Sequence, residues 1–134
     1  MGMAKISAVK LLSFTIPNKV GQLAAVTVLL GDAGVNINAI RAVEAGSNAE
    51  VVVAVKNPAK AKKALAPLGV ELKESDALCV EMPNKAGRLQ KVAKKLADAG
   101  VNIQSSWGTA FTGKSASCVI VASDNAKAIA ALKK

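Results

Sequence analysis

The sequence predicts an α+β fold made twice over from one βαββαβ unit. Three observations carry that expectation. First, IPNKVGQLAAVTVLLGDAGVNI at residues 16–37 returns as MPNKAGRLQKVAKKLADAGVNI at residues 82–103. Pro17, Asn18, Lys19, Gly21, Leu23, Val26, Leu30 and Asp32–Ile37 recur at an offset of 66 as Pro83, Asn84, Lys85, Gly87, Leu89, Val92, Leu96 and Asp98–Ile103. Second, the offset then becomes 67: Gly46 matches Gly113, and Ala59, Lys60, Ala61, Ala64 and Leu65 match Ala126, Lys127, Ala128, Ala131 and Leu132. The second copy therefore holds one extra residue before its hairpin glycine. Third, 51% of the 134 residues are apolar but only 2% aromatic, so the cores must be built from Val, Leu, Ile and Ala.

Each element has a local cause. Leu11–Ile16 alternates and is partly β-branched or aromatic, which reads as a strand. PNKVG is a turn, with Pro fixing φ, Asn tolerating turn geometry and Gly supplying freedom. Leu23, Val26 and Leu30 share one helical face and should hold that helix on its sheet. Gly34 suits the position just past the helix end. Ile37–Ala45 and Glu50–Val55 read as strands joined by a turn around AGSN. Asn57-Pro58 is a helix start, Asn as N-cap and Pro in the first turn, opening a helix over Ala59–Leu68. Val70–Ser75 is expected as the last strand.

The second copy repeats the order, with a strand at Ala77–Met82, a helix at Arg88–Ala99, strands near Ile103–Phe111 and Ser115–Ala122, and a helix at Asn125–Leu132. Nothing after it is left for a fourth strand. The order βαββαβ is the ferredoxin-like split βαβ, an antiparallel sheet with helices on one face. The expected domains are residues 1–76, with an N-terminal strand extension at ISAVK that occupies or lengthens an edge, and residues 77–134, lacking their own last strand.

Composition excludes several classes. The chain has no His, so the commonest general base is missing. Its two cysteines, Cys79 and Cys118, lie in apolar runs without a CxxC pair, which reads as buried strand residues rather than a metal site. No cofactor is expected. No apolar run approaches the roughly 18 residues of a membrane span. The N-terminus lacks a secretory h-region, and Ile6 stands where myristoylation needs Ser or Thr, so a cytoplasmic location is expected. The net charge of +9 fits either an anionic partner or solvated helix faces.

P-N-K-x-G-x-L-x-x-V-x-x-x-L-x-x-A-G-V-N-I inside a βαββαβ unit resembles the ACT domain, a small regulatory module that in its family binds amino acids. The resemblance covers both copies, nearly the whole chain, with no catalytic domain attached, as in a stand-alone tandem ACT protein. It implies an amino-acid effector at an interface between two ACT units, against the loop from the first strand to the first helix. Serine-binding members use an Asn in that loop and another just after the first helix, which correspond to Asn18 and Asn36, and to Asn84 and Asn102. Those members carry His two residues before the loop Asn; here Ile16 and Met82 stand there, which disfavours serine and suggests an aliphatic side chain.

The implied ligand-binding set is Asn18, Gly21, Gln22, Leu23, Asn36 and Ile37, with Asn84, Gly87, Arg88, Leu89, Asn102 and Ile103. A glycine entering a helix lets backbone approach a ligand, and the helix N–H groups attract a carboxylate. The loop asparagines either bind a zwitterion or satisfy turn backbone. Arg88, where the first copy has Gln22, either reaches a carboxylate or is solvated.

Two other readings compete. One is a subunit that regulates a separate metabolic enzyme without a ligand. The other is a basic nucleic-acid module, disfavoured because such sheets stack bases on aromatics and only Phe14, Trp107 and Phe111 exist. Finally, Ala25, Val28 and Leu29 correspond to Lys91, Lys94 and Lys95. The first helix is thus apolar all round, which implies a covering partner and a homodimer.

Overall fold

The computed structural model describes residues 5–110 and 112–133. In chain order the elements are β1 (Lys5–Pro17), α1 (Gln22–Asp32), β2 (Ile37–Ala45), β3 (Asn48–Val55), α2 (Pro58–Leu65), β4 (Lys73–Pro83), α3 (Arg88–Asp98), β5 (Ile103–Thr109), β6 (Ser115–Ala122) and α4 (Asn125–Leu132). The chain divides into two compact units, Lys10–Ser75, and Asp76–Lys134 together with Met1–Val9. The divisions fall inside β1 and inside β4.

In the first unit β3 pairs antiparallel with both β1 and β2, giving the order β2-β3-β1. Alternate residues of β1 and β3, including Leu12, Phe14, Ile16, Val51, Val53 and Val55, point to one face. There they meet Val26 and Leu30 of α1 and Ala61 and Leu65 of α2. The second unit repeats this, with β6 between β4 and β5. Leu78, Val80, Met82, Cys118 and Ile120 pack beneath Val92 and Leu96 of α3 and Ala128 and Leu132 of α4. Each unit is thus α+β of ferredoxin-like type, with an antiparallel sheet and its helices on one face. The repeat extends to detail: β2 is irregular between Ile37 and Ala39, and β5 between Ile103 and Ser105.

Several boundaries depart from expectation. Strand β1 starts at Lys5, so the N-terminal extension simply lengthens it, and Ile6 packs against the second unit's core. The expected strand Val70–Ser75 begins only at Lys73 and continues unbroken through Pro83, because its polar residues KESD hold extended backbone that no apolar alternation marks. Helix α2 ends at Leu65 and tightens into a 3₁₀ turn at Ala66–Leu68, where Pro67 cannot donate to an α-helical bond. Asn57 caps α2 as expected, accepting from the Lys60 N–H at 3.1 Å.

The cap of α4 is Asp124, while the Asn125 amide donates to the Asp76 carbonyl at 2.9 Å. The strand β5 ends at Thr109, and Phe111 lies outside the described residues, as do the first four, on which part of the N-terminal reading rests. The largest correction concerns Leu23 and Leu89. Both were expected to anchor their helices, yet they are 43% and 56% exposed. They sit in the first helical turn, and the anchoring falls to Val26 and Leu30, and to Val92 and Leu96. No helix among the described residues is long and apolar enough to cross a membrane.

Candidate functional site

The PNKxG loops are held by the neighbouring hairpins. The Asn18 N–H donates to the Ser47 carbonyl and the Asn84 N–H to the Lys114 carbonyl, both at 2.9 Å. The side chains add to this. Asn84 Nδ2 donates to the Gly113 carbonyl at 2.8 Å. Asn18 Nδ2 donates to Glu44 Oε2 at 2.6 Å and, more weakly, to the Gly46 carbonyl at 3.4 Å. The turn-satisfying role of both asparagines is therefore present, and an amide with two donor hydrogens and an acceptor oxygen has capacity beyond it. Gly21 and Gly87 then enter α1 and α3 with φ of 88° and 86°, a left-handed conformation that side-chain-bearing residues resist. No side chain caps either helix; the Gln22 and Arg88 N–H groups donate to the Lys19 and Lys85 carbonyls at 3.2 and 3.3 Å, which leaves the N–H groups of the next residues, Leu23 and Leu89 first, at the open end of each helix.

A hollow opens at each loop. The first, about 190 Å³, lies among Asn18, Lys19, Gln22, Leu23, Ala42 and Glu44. The second, about 440 Å³, lies among Asn84, Lys85, Arg88, Leu89, Ser106, Gly108 and Ala110, with Met82, Ala116 and Cys118 behind them. Ladder register fixes which side chains face inward. Gly108 pairs with Cys118, and Ser106 with Ile120, both on the helix-facing side. Trp107 pairs with Val119, so its indole lies on the other face. Cys118 is buried, and its thiol is pushed up from the ordinary range by that burial first and by nearby Cys79 second.

The expected site residues are thus split. Asn18, Gln22 and Leu23, and Asn84, Arg88 and Leu89, meet at the hollows beside Gly21 and Gly87. Asn36 and Ile37, and Asn102 and Ile103, stand past the far end of α1 and α3. Asn36 Nδ2 donates to Asn38 Oδ1 at 2.8 Å, and Ile37 and Ile103 pack against their own cores. The Asn102 N–H donates to Ser123 Oγ at 3.1 Å. Sequence reading missed Lys19, Lys85, Glu44, Ser106, Gly108 and Ala110. The signal for the hairpin positions was the offset of 66, which still holds through these strands and makes Glu44 the counterpart of Ala110 and Ala42 the counterpart of Gly108. Among the described residues no group of three His, Cys, Asp or Glu is placed to hold a metal ion.

Known proteins share this fold. The ACT domain family matches residues 10–69. This chain contains an ACT domain. The ACT match covers the first loop, its hollow and the whole of α1. Over both units, the crystal structure of a protein from Bacteroides thetaiotaomicron is similar with a TM-score of 0.83 at 31% identity, covering 96% of this chain and 88% of that one. Regulatory subunits of aspartate kinase share the fold, from Thermus thermophilus in its ligand-free form and from Thermus flavus. Their TM-scores are 0.74 and 0.71 at 20% and 21% identity, each covering 98% of this chain and 95% of the other. No curated protein matches the chain.

Proposed function

We propose that the chain is a non-catalytic regulatory module, two ACT units in tandem, that binds a free amino acid at the PNKxG loops. The observation that carries this reading is the hollow at both loops, each bounded by an asparagine, a helix start without a side-chain cap and an exposed leucine. An ammonium finds an amide oxygen at each, joined by the Glu44 carboxylate in the first and the Ser106 hydroxyl in the second, a carboxylate finds N–H groups and a lysine, and the leucine covers apolar carbons. The family match over residues 10–69 supports it. The fold shared with aspartate kinase regulatory subunits supports action on a separate enzyme. Location in the cytoplasm and assembly as a homodimer through α1 belong to the same reading; Val28 stands 56% exposed on that helix.

Calorimetry against the amino acids tests it. Binding with millimolar or better affinity is expected, and Asn84→Ala should weaken it at the second loop by about 1–3 kcal/mol, the cost of leaving a polar group unpaired. Absence of heat with every amino acid would leave the ligand-free subunit, a reading favoured by the engagement of Asn18 with Glu44.

A further inference from the structure

The two hollows occupy equivalent places but differ in charge. In the first, Lys19 is offset by Glu44, whose carboxylate holds Asn18 at 2.6 Å. In the second, Ala110 replaces Glu44 and Arg88 replaces Gln22, so the lining carries Lys85 and Arg88 and no acidic side chain. The inward face is also trimmed: Ser106 stands for Ile40 and Gly108 for Ala42. This agrees with volumes of about 440 Å³ against about 190 Å³. The start of α3, which no side chain caps, adds its positive end beside the two cations.

We infer that the second hollow is a site for a small dicarboxylate, an acidic amino acid or its amine-free counterpart, and that the first hollow excludes such a ligand. The inference rests on ligand binding at the PNKxG loops and goes beyond it in assigning ligand charge and making the two sites unequal. One carboxylate meets the N–H groups of the first turn of α3 beyond Arg88, whose own N–H donates to the Lys85 carbonyl, and the other pairs with the side chain of Arg88 or Lys85. Arginine is the better partner because its planar fork matches a carboxylate. In the first hollow the same ligand would bring two negative charges against Glu44. Like charges in one site cost more than the single Lys19 returns.

The test titrates the intact chain with aspartate, glutamate, succinate, leucine and lysine by calorimetry. Aspartate or glutamate, and succinate with them, should bind once per chain, and weaken as salt rises. Ala110→Glu should weaken that binding at least tenfold, as should Arg88→Gln, whereas Glu44→Ala should leave it unchanged or add a second, weaker event. Succinate binding without any amino acid would support an anionic site while removing the amino-acid reading. Leucine or lysine binding as tightly as the acidic ligands would overturn the inference and keep the amino-acid reading. Two equal sites for a dicarboxylate, unchanged affinity in Ala110→Glu, or no binding of any dicarboxylate would each overturn it as well.

Discussion

At the scale of the residue, Gly108 shows how finely the second hollow is cut. A Cβ there would stand 2.7 Å from the Ser117 carbonyl oxygen and 3.3 Å from Cys118 Cα, both backbone atoms that cannot swing aside. Gly108→Ala should therefore force β5 away from β6 and cost about 1–3 kcal/mol, the usual range for overpacking. Urea unfolding measures it, and an unchanged midpoint would mean that the strand relaxes freely. The first unit carries Ala42 at the same place, so this tolerance differs between the two copies of the repeat. The cysteines make a second residue-scale case. Burial raises the Cys79 thiol, with Glu81 adding to it, and burial with Cys79 raises that of Cys118. Both should stay protonated at neutral pH and react with iodoacetamide more slowly than glutathione. A raised folded-state pKa contributes stability that is fully present below the unfolded thiol's pKa and lost as pH rises through the folded value. The loss should appear only in the alkaline range, from about pH 8 upward, and be smaller in Cys118→Ala when urea midpoints are compared.

At the scale of the element, α1 and α3 show what one helical pattern can and cannot disclose. Val26, Leu30, Val92 and Leu96 were legible as anchors because a helix repeats its face every 3.6 residues. Leu23 and Leu89 obey the same period yet stand exposed, since periodicity says nothing about where the underlying sheet stops. The start of α2 was legible from Asn57-Pro58, a local chemical signal. The strand expected at Val70–Ser75 was legible only in part: its start at Lys73 and its unbroken run through Asp76 were not, because the exposed side chains there carry no alternation. The hollows were half legible. PNKxG announces a glycine-opened helix, but Asn18 and Glu44 lie 26 positions apart and meet only when the hairpin folds back over the loop. The outer face of α1 carries its own prediction. Leu29 packs against the first core, leaving Val28 with Ala24 and Thr27 as the open apolar surface, where α3 has Lys94 with Gln90 and Ala93. If a second copy covers that surface, Val28→Lys buries an unpaired charge and should convert a dimer to monomer in light scattering while α1 keeps its anchors. A monomeric wild type, or a variant of unchanged mass, would refute the interface.

At the scale of the whole molecule, the two units are compact but not separable along the chain. The boundary between them falls within β1 after Val9 and within β4 after Ser75, so each of those strands gives residues to both. A gene-level repeat at an offset of 66 would suggest a cut near residue 76 yielding two self-sufficient halves; the strand assignments say otherwise. The second unit takes its N-terminal contribution from far back in the sequence, and Ile6 of that contribution packs against the second core. Ile6 is half-buried, so Ile6→Ala should cost about 1–2 kcal/mol, below the roughly 2–5 kcal/mol of a fully buried Ile. The location of the loss can be read directly. Trp107 is the single tryptophan and lies on β5 of the second unit, so its fluorescence reports unfolding there. A lower urea midpoint by tryptophan fluorescence is the expected result for Ile6→Ala. A chain beginning at Lys10 should show a larger drop, because it also removes the backbone of β1 that the second unit uses. If the tryptophan transition of that shortened chain matches the full one, the N-terminal strand is dispensable to the second unit, and the halves are independent after all.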